Sequence, residues 1–227
     1  MSRISNFEFR IFTFATLRGV IHLYNCRSMK SDSDIRKLVQ DAQVGNSEAF
    51  EGIYGNFASR IYNFLYRLLG SREEAEDLTQ QTFLIALKQL KTLRDPSQLE
   101  SWVYRIARNE VYQKFRRRKF DSVGEDGAAT EDSAEPRENR LHANPEKALL
   151  NVELGQKLQA VLDGLPLKLR EVFILAVVQE MSYKDISIIV GRSLLSVKTD
   201  IYRARLTARA ELGKYLNLEQ STGIDGQ

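Results

Sequence analysis

Between Ser47 and Leu69 an apolar side chain recurs at every third or fourth position: Phe50, Ile53, Tyr54, Phe57, Ile61, Phe64, Leu65 and Leu68. Successive helical residues turn by 100°, so this spacing gathers all of them on one stripe, whereas a strand would scatter them over two faces. A helix with one such stripe is stable only against other helices. Gly70 closes it, because glycine enters the left-handed cap without a Cβ clash.

The period then repeats. Ser71 to Glu74 predicts a capping box that opens a second helix, with acidic groups in the first turn where the dipole favours them. Ala75, Leu78, Thr82, Phe83, Ala86, Leu87 and Leu90 form its inner stripe, and Glu73, Glu76, Asp77, Gln80 and Gln81 stand opposite. Pro96 pushes Asp95 out of the helical region, which breaks the chain between Lys91 and Pro96. Ser97 to Glu100 predicts a further capping box, launching a third helix from about Gln98 to Arg118. Trp102, Val103, Ile106, Ala107 and Val111 face inward. From Arg105 to Lys119 there are seven basic groups against one acid. Tyr104, Tyr112 and Phe115 interleave with them, so the helix can neutralise phosphates while its rings stack on unpaired bases. A solubilising helix end, with cations complementing the dipole, is the blander alternative.

A second helical group follows, at about Val152–Leu162 and from Pro166, a residue suited to a first helical position, to Val178. Ser182 to Asp185 predicts the next cap, with Ile186, Ile189 and Val190 inward. Gly191-Arg-Ser193 makes a short turn and Ser193 caps the following helix. There Leu194, Val197, Ile201 and Ala204 face the core. Leu195, Lys198, Thr199 and Tyr202 face away, with Arg203 at the edge and Asp200 nearer the core rim. Two short helices joined by a glycine turn, the second presenting Lys, Thr, Tyr and Arg, match the helix-turn-helix arrangement that enters the major groove. Lys198 and Arg203 can reach phosphates or guanine edges, and Thr199 a base edge or methyl. An ordinary helical hairpin is the alternative.

The fold class is therefore all-α, as two small helical domains. The net charge of +3 divides unevenly. Residues 30–120 carry 16 basic and 12 acidic groups, and residues 148–218 carry ten and seven. Residues 121–147 carry three and eight and hold few apolar side chains, so they predict a flexible acidic linker. Residues 1–29 fit neither block. Ile11 to Leu17 is too short to span a bilayer, and no cleavage site follows it. Met29 is the expected start, with an amphipathic anchor as the alternative for the preceding residues. Residues 219–227 predict a disordered tail. The single cysteine and two histidines exclude a disulfide framework and a metal site, and no cofactor is expected. No nucleophile–base pair or phosphate loop supports an enzyme.

Asp77-Leu-Thr-Gln-Gln-Thr-Phe83, followed by Ser101-Trp-Val-Tyr-Arg-Ile-Ala-Arg-Asn109, resembles the polymerase- and promoter-binding domain of bacterial extracytoplasmic-function sigma factors. Gly164-Leu-Pro-Leu-Lys-Leu-Arg-Glu-Val-Phe173, Met181-Ser-Tyr-Lys-Asp-Ile186 and Ser196-Val-Lys-Thr-Asp-Ile-Tyr-Arg-Ala-Arg205 are similar to that family's second DNA-binding domain. The resemblance spans roughly residues 35–216. It implies a cytoplasmic, non-enzymatic initiation factor that acts with core RNA polymerase, binds promoter DNA and is held inactive by an anti-sigma factor. Asp77, Gln80 and Gln81 would dock on the polymerase clamp. Arg94, Asp95, Ser97, Trp102, Arg105, Arg108, Asn109, Tyr112, Arg116 and Arg117 would engage the minus-ten element, the loop capturing a flipped base. Ser196, Lys198, Thr199, Tyr202 and Arg203 would read the minus-thirty-five element. Arg192, Leu195 and Asp200 depart from the family's usual residues. A free-standing helix-turn-helix regulator remains the other class; co-purification with core polymerase separates the two.

Overall fold

The structure, a computed structural model, describes residues 32–121 and 155–221, with side chains placed for 33–118 and 155–210. The expected extension, most of the acidic linker and the end of the tail lie outside the described residues.

Among the described residues every regular element is helical. The first domain contains α1 (Asp32–Gln43), α2 (Ser47–Leu69), α3 (Arg72–Gln89) and α4 (Leu99–Asp121). Two short 3₁₀ turns, Leu90–Thr92 and Pro96–Gln98, join α3 to α4. The second contains α5 (residues 155–163), α6 (Leu167–Phe173, prolonged by a π turn over Ile174–Val178), α7 (Tyr183–Val190) and α8 (Leu194–Ser221).

The caps follow local chemistry. Asn46 Oδ1 accepts from the Ala49 N–H at 3.2 Å and starts α2; Gly70, at φ 79°, ends it. Ser71 Oγ accepts from the Glu74 N–H at 3.3 Å, satisfying an otherwise orphan donor at the α3 N-terminus. Ser182 and Gly191, the latter at φ 64°, delimit α7 in the same way.

In the first domain α2 is the central helix, with α1 and α3 packed on it and α4 on α3. Phe57, Ile61, Phe64, Leu65 and Leu68 of α2 are buried against Ala75, Phe83 and Ala86 of α3 and Val103, Ala107 and Val111 of α4. Burying each large side chain contributes about 1.5–3 kcal/mol. In the second domain α6 and α7 pack on α8 through Val172, Phe173, Ile186, Ile189, Val197, Ile201 and Ala204. The two cores are not separate. α7 lies against α4, the π turn lies against α2, and one apolar cluster runs from Ile35 to Ala208.

Several sequence expectations are corrected. α1 has no counterpart among the expected helices, although Ile35, Leu38, Val39 and Ala42 have helical spacing and pack on the core. Tyr54, Leu87 and Leu194 were placed inward but are 45%, 54% and 43% exposed; each sits at the margin of its stripe, where 3.6-residue periodicity drifts toward solvent. The Ser97–Glu100 box does not form. Asp95 caps the turn instead, and Glu100 pairs with Arg60 of α2. Pro166, at ψ 140°, precedes α6 as its cap and is not its first helical residue. Tyr104 is fully buried, so its ring is not offered to bases in this arrangement.

Candidate nucleic-acid interface

Asp77, Gln80 and Gln81 project from one side of α3 and all are exposed. Leu84 and Leu87, 53% and 54% exposed, continue the same row at three- and four-residue spacing. This face is therefore polar at its N-terminal end and apolar beyond. Sequence reasoning misses Leu84 and misplaces Leu87; the signal is Leu84, an apolar residue off the inner stripe and one turn before Leu87.

The loop between α3 and α4 is held in shape from α1. Gln43 Nε2 donates to the Leu90 and Leu93 carbonyls at 3.0 and 2.8 Å. Asp95 Oδ1 accepts from the Ser97 hydroxyl at 2.7 Å and from its N–H at 3.0 Å. These bonds hold the Asp95 carboxyl below the usual carboxylate range, the hydroxyl contributing most. Arg94, Asp95, Trp102 and Arg105 surround a pocket of about 380 Å³. Ile188 of α7 forms part of its wall. A space of that size lined by two arginines, an aspartate and a tryptophan suits a planar polar ligand such as a base.

Beyond the pocket α4 divides. Arg105 and Asn109 are exposed, as are Arg116 and Arg117, about 16 Å further along the axis than Arg105. Arg108 and Tyr112 are half-buried and turned to the second domain. Arg108 Nε donates to Glu171 Oε2 at 2.9 Å, the Tyr112 hydroxyl donates to the same oxygen at 2.9 Å, and the Arg108 guanidinium lies 4.3 Å over the Tyr112 ring. Burial, reinforced by the Glu171 charge and hydrogen bond, pushes the Tyr112 phenol up to about 12. The Tyr104 hydroxyl donates to Gln179 Oε1 at 2.8 Å, and burial raises that phenol too. Glu74 of α3 takes Lys114 at 3.1 Å and Arg118, which removes Arg118 from the free basic run.

On α8, Ser193 Oγ accepts from the Ser196 N–H at 3.3 Å, fixing the start of the helix. Lys198, Thr199, Tyr202 and Arg203 are exposed, and Ser196 is half-exposed. The Thr199 hydroxyl donates to the Leu195 carbonyl at 3.0 Å, leaving its oxygen lone pairs outward. Leu195 itself is 76% exposed. Asp200, expected at the core rim, is 3% exposed and receives Arg192, with Lys168 at 3.3 Å. Its charge is internal to the domain and does not oppose phosphate.

Comparison with known proteins follows this division. Residues 53–120 match Sigma-70 region 2, and residues 155–207 match Sigma-70, region 4. Those two regions in this order define a sigma factor of RNA polymerase. The chain is 31% identical over 182 residues to the ECF RNA polymerase sigma factor SigW of Bacillus subtilis (strain 168), across 78% of this chain and 96% of that one. It is 34% identical over 161 residues to the ECF sigma factor SigE of Mycolicibacterium smegmatis, across 70% of this chain and 59% of that one. A solved structure of the sigma factor RpoE in complex with the anti-sigma factor NepR from Bartonella quintana superposes with a TM-score of 0.61 at 25% identity, covering 72% of this chain and 96% of that one. The chain belongs to the extracytoplasmic-function sigma factors, and its function is promoter-directed initiation with RNA polymerase. A free-standing regulator is not favoured, because it assigns no task to the region 2 match. No helix among the described residues is long and apolar enough to cross a membrane.

Proposed function

We propose that Asp77, Gln80 and Gln81, extended by Leu84 and Leu87, dock this chain on core polymerase, that Arg94 to Arg117 engage the minus-ten element, and that α8 reads the minus-thirty-five element. The observation that carries the reading is the pocket beside Trp102, set between the loop and the basic face of α4. Holding one unpaired base out of the stack costs a few kcal/mol. Contacts in such a pocket, at roughly 1–3 kcal/mol per stacked base, offset that. The basic groups Arg105, Arg116 and Arg117 then follow the phosphates of the opened strand. On α8, Lys198 and Arg203 supply phosphate or guanine contacts, Tyr202 and Ser196 flank them, and Thr199 offers an acceptor.

Weak contacts at two sites reinforce one another once both are carried on one large body, through effective concentration. The chain itself performs no chemistry in this scheme; polymerase makes the bonds. It works in the cytoplasm, where polymerase and DNA are. An anti-sigma factor is the natural antagonist, as in the RpoE–NepR complex.

The test is co-purification with core polymerase. The native chain is expected to bind, and the pair Asp77→Ala and Gln80→Ala to lower affinity roughly tenfold, each lost hydrogen bond to a charged or polar partner contributing about 0.5–1.5 kcal/mol. Helical content is expected to stay constant. Unchanged affinity would remove the α3 assignment.

A further inference from the structure

We propose that Leu195 is a specificity residue of α8: its side chain packs on the C5-methyl group of a thymine in the major groove of the upstream element, an assignment that rests on the reading of α8 as the minus-thirty-five helix.

Among the described residues, four of the nine exposed large apolar side chains lie on α8: Leu194, Leu195, Tyr202 and Leu206. Exposed apolar groups scattered singly need no explanation, but a row of them does. At 100° per residue, Leu195, Thr199, Tyr202 and Leu206 share a stripe about 60° wide. Leu195 is the most exposed of its three apolar members. Lys198 and Arg209 border the stripe on one side and Arg203 on the other, all three exposed. The one carboxylate between Leu194 and Ala210 is Asp200, which is buried and paired with Arg192. An apolar row edged by cations complements duplex DNA, whose groove walls are anionic and whose floor carries methyl groups. A second copy of α8 would set cation against cation.

Placement narrows the ligand further. Ser193 caps α8, so Leu195 stands in its first turn, the end that meets base edges when such a helix enters the groove. Arg192, in the turn that precedes the helix, is tied to Asp200 in its second turn, which holds this end in place. The Thr199 hydroxyl spends its proton on the Leu195 carbonyl at 3.0 Å. Base edges in the groove present nitrogen and oxygen groups, and thymine alone adds a methyl. A leucine pressed on a polar edge strips that edge of water without replacing the hydrogen bond. Pressed on a methyl, it removes apolar surface from water on both partners. Leu195 thus selects thymine over cytosine at one position, while Lys198 and Arg203 hold phosphates or guanine edges beside it. Leu206, about 16 Å further along the axis, lies beyond that first turn and takes no base.

The experiment uses holoenzyme assembled from the full chain and core polymerase, on a promoter duplex taken from mapped start sites. The upstream element is synthesised with thymine or with uracil, which pairs identically and lacks only the methyl. Fluorescence anisotropy reads binding by the native chain, by Leu195→Ala and, as a control on the same stripe, by Leu206→Ala. Circular dichroism establishes that each is folded. Native holoenzyme is expected to lose about fourfold in affinity on the uracil duplex, as burial of one methyl group implies. Leu195→Ala is expected to bind the thymine duplex more weakly by at least that factor and to be indifferent to uracil. Leu206→Ala is expected to keep the native difference. A native chain blind to uracil, or Leu195→Ala as sensitive as the native chain, would overturn the contact. Weaker binding of Leu195→Ala to core polymerase without DNA, or its loss of a self-associated form in sedimentation, would also overturn it, since the stripe would then face protein. A scrambled upstream element separates the levels. If native holoenzyme rejects the scrambled element yet ignores uracil, α8 reads DNA and only the Leu195 assignment fails; if it accepts the scrambled element, the reading of α8 fails too.

Discussion

α8 holds Lys198, Thr199, Tyr202 and Arg203 out to solvent, whereas α4, equipped with the same residue types, has Arg108 and Tyr112 bound to Glu171 and Tyr104 bound to Gln179. The difference lies in what each helix packs against. α8 turns its apolar stripe to α6 and α7 and leaves its polar face free. α4 is gripped on one side by α3 and on another by α7, so part of its polar face is interior. The two surfaces therefore respond differently to substitution: on α8, function and stability separate, while on α4 they are coupled.

Arg192→Ala tests that coupling most severely. It strips a partner from two buried carboxylates, Glu171 and Asp200, and is expected to destabilise the fold by about 3–5 kcal/mol, read as a lower urea midpoint. A change under about 1 kcal/mol would mean that the network is not integral. Arg108→Ala is expected to remove roughly 1.5–3 kcal/mol, the range for a hydrogen bond to a charged group, and also to weaken minus-ten binding. Lys198→Ala is expected to leave stability within about 0.5 kcal/mol while reducing the salt slope of promoter binding by about one. If Lys198→Ala unfolds the protein, or Arg108→Ala leaves stability untouched, the contrast between the helices disappears.

The smallest effect is alkaline. Tyr112 has a phenol raised to about 12 in the folded chain, above the value near 10 expected when unfolded. Its neutral form is the one that donates to Glu171. The stability it lends is therefore fully present below about pH 10 and is lost as pH rises toward 12. Tyr104 is raised as well, so tyrosinate absorbance should show more than one late-titrating phenol, with one fewer in Tyr112→Phe; an unaltered titration would contradict the placement.

Much of this fold is legible in periodicity and caps. The stripe from Phe50 to Leu68 locates α2, Ser71 and Ser182 mark helix starts, and Gly70 and Gly191 mark stops, all because these signals act over one or two turns. The outward set on α8 follows from angle alone. What periodicity does not carry is contact across the chain. Glu171 sits 63 residues from Arg108, between Arg170 and the apolar run that begins at Val172, and neither gives a local sign of its distant partner. Tyr104 reads as one more aromatic among basic groups, yet its partner Gln179 is 75 residues away. Leu87 is misplaced by the opposite fault, since an apolar residue at the edge of a stripe looks inward until the neighbouring helix is placed; both it and Leu84, which the stripe omits, are exposed. Arg192 and Asp200, two departures from the family's usual residues, become intelligible only as each other's partners.

The most direct measurement is run-off transcription with core polymerase on genomic fragments, with start sites mapped. The account predicts discrete transcripts that require this chain, that weaken when Lys198 and Arg203 are both replaced by alanine, and that vanish when the α3 face is altered. Core polymerase that initiates no promoter-dependent transcript in the presence of the purified, folded chain would contradict it.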